Sequence, residues 1–172
     1  MECAYAPYNW SQPSADGGAV KIAGSNEYAY GYDVMIAKKL ADSMGADLEI
    51  HKIEWDGLAP AVVSGKIDAA IAGMSITSKR KESVDFTKPY YYATVVALVK
   101  KDSPQAQAKS VADLKGSIAT SQLNTIWYDQ IDQVPDVKSC LLSTTSRHDC
   151  ALKSGKCNLI VTDIPTAKLL LC

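Results

Sequence analysis

The residues best able to do chemistry lie in one run, Gly73, Met74, Ser75, Ile76, Thr77, Ser78, Lys79, Arg80 and Lys81. Thr77 is a good helix N-cap, yet the turn after it carries cations, which the helix dipole disfavours at that end. A helix start presents unpaired N–H groups and partial positive charge, and a nearby arginine adds two parallel donors that fit a carboxylate. Gly73 lets backbone approach a ligand, Ser75 and Thr77 offer hydroxyls, and Arg80 sits in the first turn. The run therefore fits an anion site at a strand end, where open α/β sheets bind ligands. The competing reading is that the cations are only a solvated face.

Other chemistries find less support. His51 and His148 are the only histidines, and there is no nucleophile elbow, Walker loop or dinucleotide-binding glycine motif. Cys140, His148, Cys150 and Cys157 are the one group of metal-ligating types. His148 and Cys150 are two apart on a predicted helix, so they do not share a face, and no C-x-x-C pair exists. A structural role, or a disulfide from Cys140 to Cys150 or Cys157, fits these cysteines better than a metal. No metal, no cofactor and no enzymatic activity are expected.

The elements that must hold such a site alternate. Asp33 is placed to cap a helix carrying Val34, Ala37, Leu40 and Ala41, which Gly45 ends, and residues 48–53 (LEIHKI) read as a strand. Residues 57–66 read as a short helix, and 67–73 (IDAAIAG) as a strand buried on both faces of a parallel sheet. A strand follows at 93–101. The pattern restarts with strands at SIATS, VKSCLL and NLIVTD and helices at NTIWYDQI, TTSRHDCALKSG and PTAKLLL. This is an α/β fold with mostly parallel sheets flanked by helices. The polar stretch 100–110 marks a lobe boundary near Val99, giving lobes 1–99 and 100–172.

The totals agree. The 172 residues are 47% hydrophobic, enough for a real core, and 18 basic against 19 acidic residues leave no field that favours nucleic acid. A small or neutral partner fits best. No apolar run approaches the length of a membrane span.

Residues 55–91, WDGLAPAVVSGKIDAAIAGMSITSKRKESVDFTKPYY, closely resemble the signature of family 3 solute-binding proteins, the polar amino-acid-binding proteins of ABC importers. The likeness extends through YAPY at 5–8, GYDVMIAKKLADSMGADLEI, SVADLKG, SQLNT and TDIPTA. It implies a two-lobed type II periplasmic-binding-protein fold that closes on an amino acid and delivers it to a membrane permease. Position by position, it makes Arg80 the clamp for the α-carboxylate, with Gly73, Met74 and Ser75 on the strand end that holds the carboxylate and α-ammonium. In the second lobe it implicates Gln122 and Thr125 for the carboxylate and Asp163 for the α-ammonium. Tyr5 and Trp55 match the aromatic pair around the ligand side chain, Trp10 adds a wall, and Glu2 falls where an acid contacts the side-chain tip. That acid favours Lys, Arg, His or Gln as the free amino acid.

The resemblance also implies departures. Asn124 stands where the family has glycine, and asparagine best replaces it at positive φ. Asn158 replaces an aspartate and concerns structure more than ligand. Family members continue past TDIPTA, so C-terminal elements are expected to be missing, with exposed sheet edges that a homodimer would cover. Localisation is expected to be extracellular, lipoprotein-anchored or periplasmic, with a signal removed. The rival readings are the ligand-binding domain of a sensor or receptor, and a cyclohexadienyl-dehydratase-like enzyme.

Overall fold

The computed structural model describes residues 1–141 and 148–170; parts of the strand expected at VKSCLL and of the helix expected at TTSRHDCALKSG, and Cys172, lie outside them. The chain divides into two compact units, Met1–Tyr91 and Tyr92–Cys172. The boundary thus falls before the strand that was expected to close the first lobe near Val99. That strand pairs with the last strand of the second unit, and the ladder decides its membership.

In the first unit, β1 (Ala4–Tyr5), β2 (Asn9–Gln12), β3 (Val20–Lys21) and β4 (Tyr28–Tyr30) form a sheet ordered β1-β2-β4-β3. All its pairings are antiparallel, with Tyr5 opposite Asn9 and Trp10 opposite Tyr30. The expectation of mostly parallel sheets fails here for a steric reason. Parallel neighbours need a crossover of about a dozen residues or more, whereas β1 joins β2 through residues 6–8 and β3 joins β4 through residues 22–27, links too short for one in these two pairs. Helix α1 (Tyr32–Met44) begins one residue before Asp33, with Gly31 as its N-cap at φ 126° and Gly45 closing it in the left-handed region. Asp33 is therefore not the cap; it is fully buried inside the first turn. A Cβ on Gly31 would stand 2.3 Å from the Tyr8 carbonyl oxygen, so only glycine lets the helix start this close to the β1–β2 hairpin.

Two further expectations are corrected. Of 48–53, only Ile50 bridges, in parallel with Ile22. The run 67–73 is not a strand: Ala72 is buried but Asp68, Ala69 and Gly73 are exposed. An apolar run becomes a buried strand only where neighbours supply ladder partners, and 67–73 joins no ladder among the described residues. Ile71 instead packs on the core of Ile22, Val34, Ala37 and Ile50. Helix α2 (Leu58–Val63) buries Leu58 and Ala61, and helix α3 (Ser78–Lys81) is a single turn.

The second unit meets the alternating pattern more closely. Strands β5 (Val95–Leu98), β6 (Ile118–Thr120), β7 (Lys138–Ser139) and β8 (Leu159–Asp163) are ordered β5-β8-β6-β7. β6 runs parallel to β7 and β8, while β5 is antiparallel to β8, so this sheet is mixed. Helix α4 (Ile126–Asp129) and a 3-10 turn (Gln130–Gln133) lie between β6 and β7; α5 (His148–Lys153) precedes β8 and α6 (Ile164–Leu170) follows it. Every residue of β8 is buried, with Leu159 and Val161 packing beside Ile131 and Val134 and Ile160 beside Ala151 and Leu152. Its apolar first three residues suit a strand buried on both faces, and Thr162 and Asp163 extend that burial to polar side chains. Asn158 ties β8 to β6, accepting from the Ile118 N–H at 2.8 Å through its side chain and donating from its own N–H to the Ile118 carbonyl at 2.9 Å.

Candidate functional site

The basic turn is built as its sequence suggests. Thr77 caps α3, its hydroxyl oxygen accepting from the Arg80 N–H at 3.2 Å. The three cations then separate by environment: Lys79 and Lys81 are exposed, while Arg80 is half-buried. Arg80 Nη1 donates to the Ser75 carbonyl at 2.7 Å, and its guanidinium lies 5.4 Å from the Trp55 ring centroid. A planar cation held on an aromatic face keeps its fork in one orientation. Trp55 opens a 3-10 turn (Trp55–Gly57) directly before α2, whose buried Leu58 anchors it.

Gly73 joins this group from the other side. Its φ is +61°, and a Cβ there would lie 3.4 Å from the Tyr5 ring. Tyr5 is buried and stacks on Tyr8 with centroids 4.9 Å apart; Tyr91 meets Tyr8 edge-on at 5.5 Å. Met74 and Ser75 follow Gly73, both half-buried, and Glu2 is buried at the start of the first unit. The structure thus brings Tyr5 to Gly73, and Trp55 and Ser75 to Arg80. Trp10 lies edge-on to Tyr30 at 5.1 Å and close to Gly31 in the same unit.

In the second unit the turn 121–125 has Asn124 at φ +60°, the conformation expected where the family has glycine. Gln122 and Thr125 are buried. The Thr125 hydroxyl donates to the Gln122 carbonyl at 2.7 Å and accepts from the Tyr128 N–H at 3.3 Å, so it caps α4. Asp163 is fully buried at the end of β8, where one carboxylate oxygen accepts from the Thr166 N–H at 2.9 Å and caps α6.

Sequence reasoning missed a set of polar groups linked to Gly73, in which Asn9 and Asp33 are buried and Tyr90 is half-buried. Asp33 accepts from Asn9 Nδ2 at 2.6 Å and from the Tyr90 hydroxyl at 2.8 Å, and Tyr90 in turn accepts from the Gly73 N–H at 3.0 Å. Burial pushes the Asp33 carboxyl above its usual range, against the pull of Tyr90, Asn9 and the Met1 amino group. Burial, reinforced by the Asp33 charge, also raises the Tyr90 hydroxyl well above the ordinary phenol value. Tyr32 belongs to the same region, donating to the Tyr90 carbonyl at 3.1 Å. The signal that could have found Asp33 is its place in a helix's first turn with an apolar residue at the next position, a carboxylate that the helix buries.

The histidine and cysteines take structural places. His148 is 2% exposed, whereas Cys150 is exposed, so the two face apart. Cys140 and Cys157 sit in the apolar cluster with Leu98 and Ile160 as free thiols, Cys140 following β7 and Cys157 preceding β8, with β6 between those strands. No group of metal-ligating side chains occurs among the described residues, nor is any described helix long and apolar enough to cross a membrane.

Two units, each a sheet flanked by helices, the first bearing an arginine fixed on an aromatic face, have the type II periplasmic-binding-protein fold. Solved structures with that fold superpose closely. An ancestral arginine-binding protein bound to arginine is 32% identical with a TM-score of 0.83, the match covering 99% of this chain and 70% of that one. An ancestral amino acid-binding protein described as a precursor of cyclohexadienyl dehydratase is 31% identical with a TM-score of 0.83, covering 99% and 71%. The chain belongs to the bacterial extracellular solute-binding proteins, family 3, whose pattern matches residues 19–149. A probable histidine-binding protein of Campylobacter jejuni is 32% identical over 95% of this chain, which spans 58% of that relative's length.

Proposed function

We propose that this chain binds a free polar or cationic amino acid outside the cytoplasm and presents it to the permease of an ABC importer. The observation that carries the reading is the contrast within the basic turn: Arg80 alone is half-buried, bonded to Ser75 and set on Trp55, while Lys79 and Lys81 face solvent. Arg80 is the clamp for the α-carboxylate, with Gly73, Met74 and Ser75 beside it. Tyr5 and Trp55 flank the side chain, Trp10 is an outer wall, and Glu2 faces the side-chain tip. Gln122, Thr125 and Asp163 are the second unit's ligand positions. Asp163 reads the α-ammonium through a carboxylate already fixed by its α6 cap. Relatives named for histidine and arginine support a Lys, Arg, His or Gln-like ligand. The protein acts as a periplasmic, extracellular or lipid-anchored binder. A thermal-shift screen of the twenty amino acids tests this, since a ligand at 100 times its Kd stabilises by about 2.7 kcal/mol. No shift with any of them would contradict it.

An enzymatic reading has one observation in its favour, the structural likeness to a dehydratase precursor. Turnover of a cyclohexadienyl acid would separate it from binding. The precursor is itself described as amino acid-binding, which favours the binding reading.

A further inference from the structure

The first unit contains a chain of hydrogen bonds that none of the ligand roles above uses. On one side the Cys3 N–H donates to Asn9 Oδ1 at 2.7 Å, and Asn9 Nδ2 donates to Asp33 Oδ2 at 2.6 Å. On the other side the Gly73 N–H donates to the Tyr90 hydroxyl oxygen at 3.0 Å, and that hydroxyl donates to Asp33 Oδ1 at 2.8 Å. Both ends are backbone amides, which can only donate. Two donor chains that run toward each other need a member that only accepts, and an ionised carboxylate is the side chain with that property. Asp33 and Asn9 are each 0% exposed, so a broken link there is not cheaply replaced by solvent.

What the chain ends on gives it a purpose. Gly73 has φ +61° and lies against the Tyr5 ring, and Ser75, two residues on, holds Arg80 through its carbonyl at 2.7 Å. A rotation at Gly73 would carry Ser75, and hence the guanidinium, with it. We infer that Asp33 and Tyr90 are positioning residues: the acceptor-only carboxylate fixes the direction of the Tyr90 hydroxyl, whose oxygen holds the Gly73 amide and sets the Gly73–Ser75 segment for ligand binding. The ligand in this statement rests on the amino-acid reading above; the geometry does not.

The test is Tyr90→Phe in the full chain, with Asp33→Asn as a second variant. Phenylalanine keeps the ring but leaves Gly73 without its acceptor and Asp33 without one donor. In Asp33→Asn the side chain carries one acceptor oxygen where two donors converge. Amide hydrogen exchange read by NMR on the ligand-free protein should show Gly73 exchanging at least about tenfold faster in Tyr90→Phe, while the amides of Ala29 in β4 and of Ile22, which donates to the Glu27 carbonyl at 3.0 Å, stay protected. Titration with L-arginine and L-histidine should show affinity weakened by about tenfold in the same variant. Unchanged Gly73 exchange overturns the inference. So does acceleration spread equally over Ala29 and Ile22, which would mean general destabilisation, and so does unchanged affinity beside accelerated Gly73 exchange. If Tyr90→Phe does not fold, Asp33→Asn is read by the same two measurements. If the wild-type chain binds none of the twenty amino acids, the functional reading fails, and Gly73 exchange still decides whether Asp33 and Tyr90 hold this segment.

Discussion

Replacing Arg80 separates what the residue does for the fold from what it does for the ligand. In the ligand-free protein it makes one charge-assisted bond to the Ser75 carbonyl at 2.7 Å and lies 5.4 Å over the Trp55 ring. Together these are worth about 2 kcal/mol, toward the low end because the side chain is half-buried and partly solvated. A bidentate clamp on a carboxylate adds two charge-assisted bonds in the complex, about 3 kcal/mol at the low end, or roughly a 150-fold loss of affinity in Arg80→Ala. Arg80→Lys keeps the charge but not the fork, and it should recover part of the affinity while remaining roughly tenfold weaker than wild type. Urea unfolding gives the first quantity and calorimetric titration with the stabilising amino acid the second. An Arg80→Ala variant that loses the expected stability yet binds within about threefold of wild type would refute the clamp.

Three further outcomes follow from local geometry. Thr77→Ala removes the cap on α3, and should cost about 1 kcal/mol by chemical denaturation while weakening ligand affinity, because the Arg80 N–H loses its acceptor. Gly31→Ala should be severe, roughly 3 kcal/mol or more in the same assay, since its Cβ would stand 2.3 Å from the Tyr8 oxygen at φ +126°. Burial lowers the His148 imidazole from 6.5 to about 4, outweighing the Ser121 backbone that pulls it up. The unfolded chain therefore binds this proton more readily than the folded one. The His148 contribution is fully present above about pH 6.5 and declines by about 3 kcal/mol as pH falls toward 4. Unfolding midpoints at pH 7 and 4.5 should differ less in His148→Gln than in wild type.

Much of the second unit was legible because its signals are local. The apolar start of β8, the polar restart before β6 and Asn124 at positive φ can each be read within a few residues. The same holds in the first unit for the Thr77 cap and the Gly45 stop. The failures are all matters of who pairs with whom. Periodicity assigned 67–73 to a buried strand, but a strand needs a ladder, and no local pattern supplies one. The unit boundary moved because β5 found its partner in β8, far along the chain. Asp33 reads as a helix cap from its neighbours, and only the fold brings it to Tyr90, 57 residues away. The site followed the same division. Arg80, Ser75 and Thr77 lie within one short run, 75–80, and were readable together, whereas the hydrogen bonds that hold Gly73 are assembled from Cys3, Asn9, Asp33 and Tyr90.

The central claim is that this chain recognises an amino acid by its carboxylate through Arg80. It is tested most directly by titrating the amino acid that gives the largest thermal shift beside the amine that lacks only its carboxylate, such as L-arginine beside agmatine. The account predicts saturable one-to-one binding of the amino acid and affinity for the amine weaker by about a hundredfold or more. Equal binding of the two, or binding of the amine alone, would contradict it.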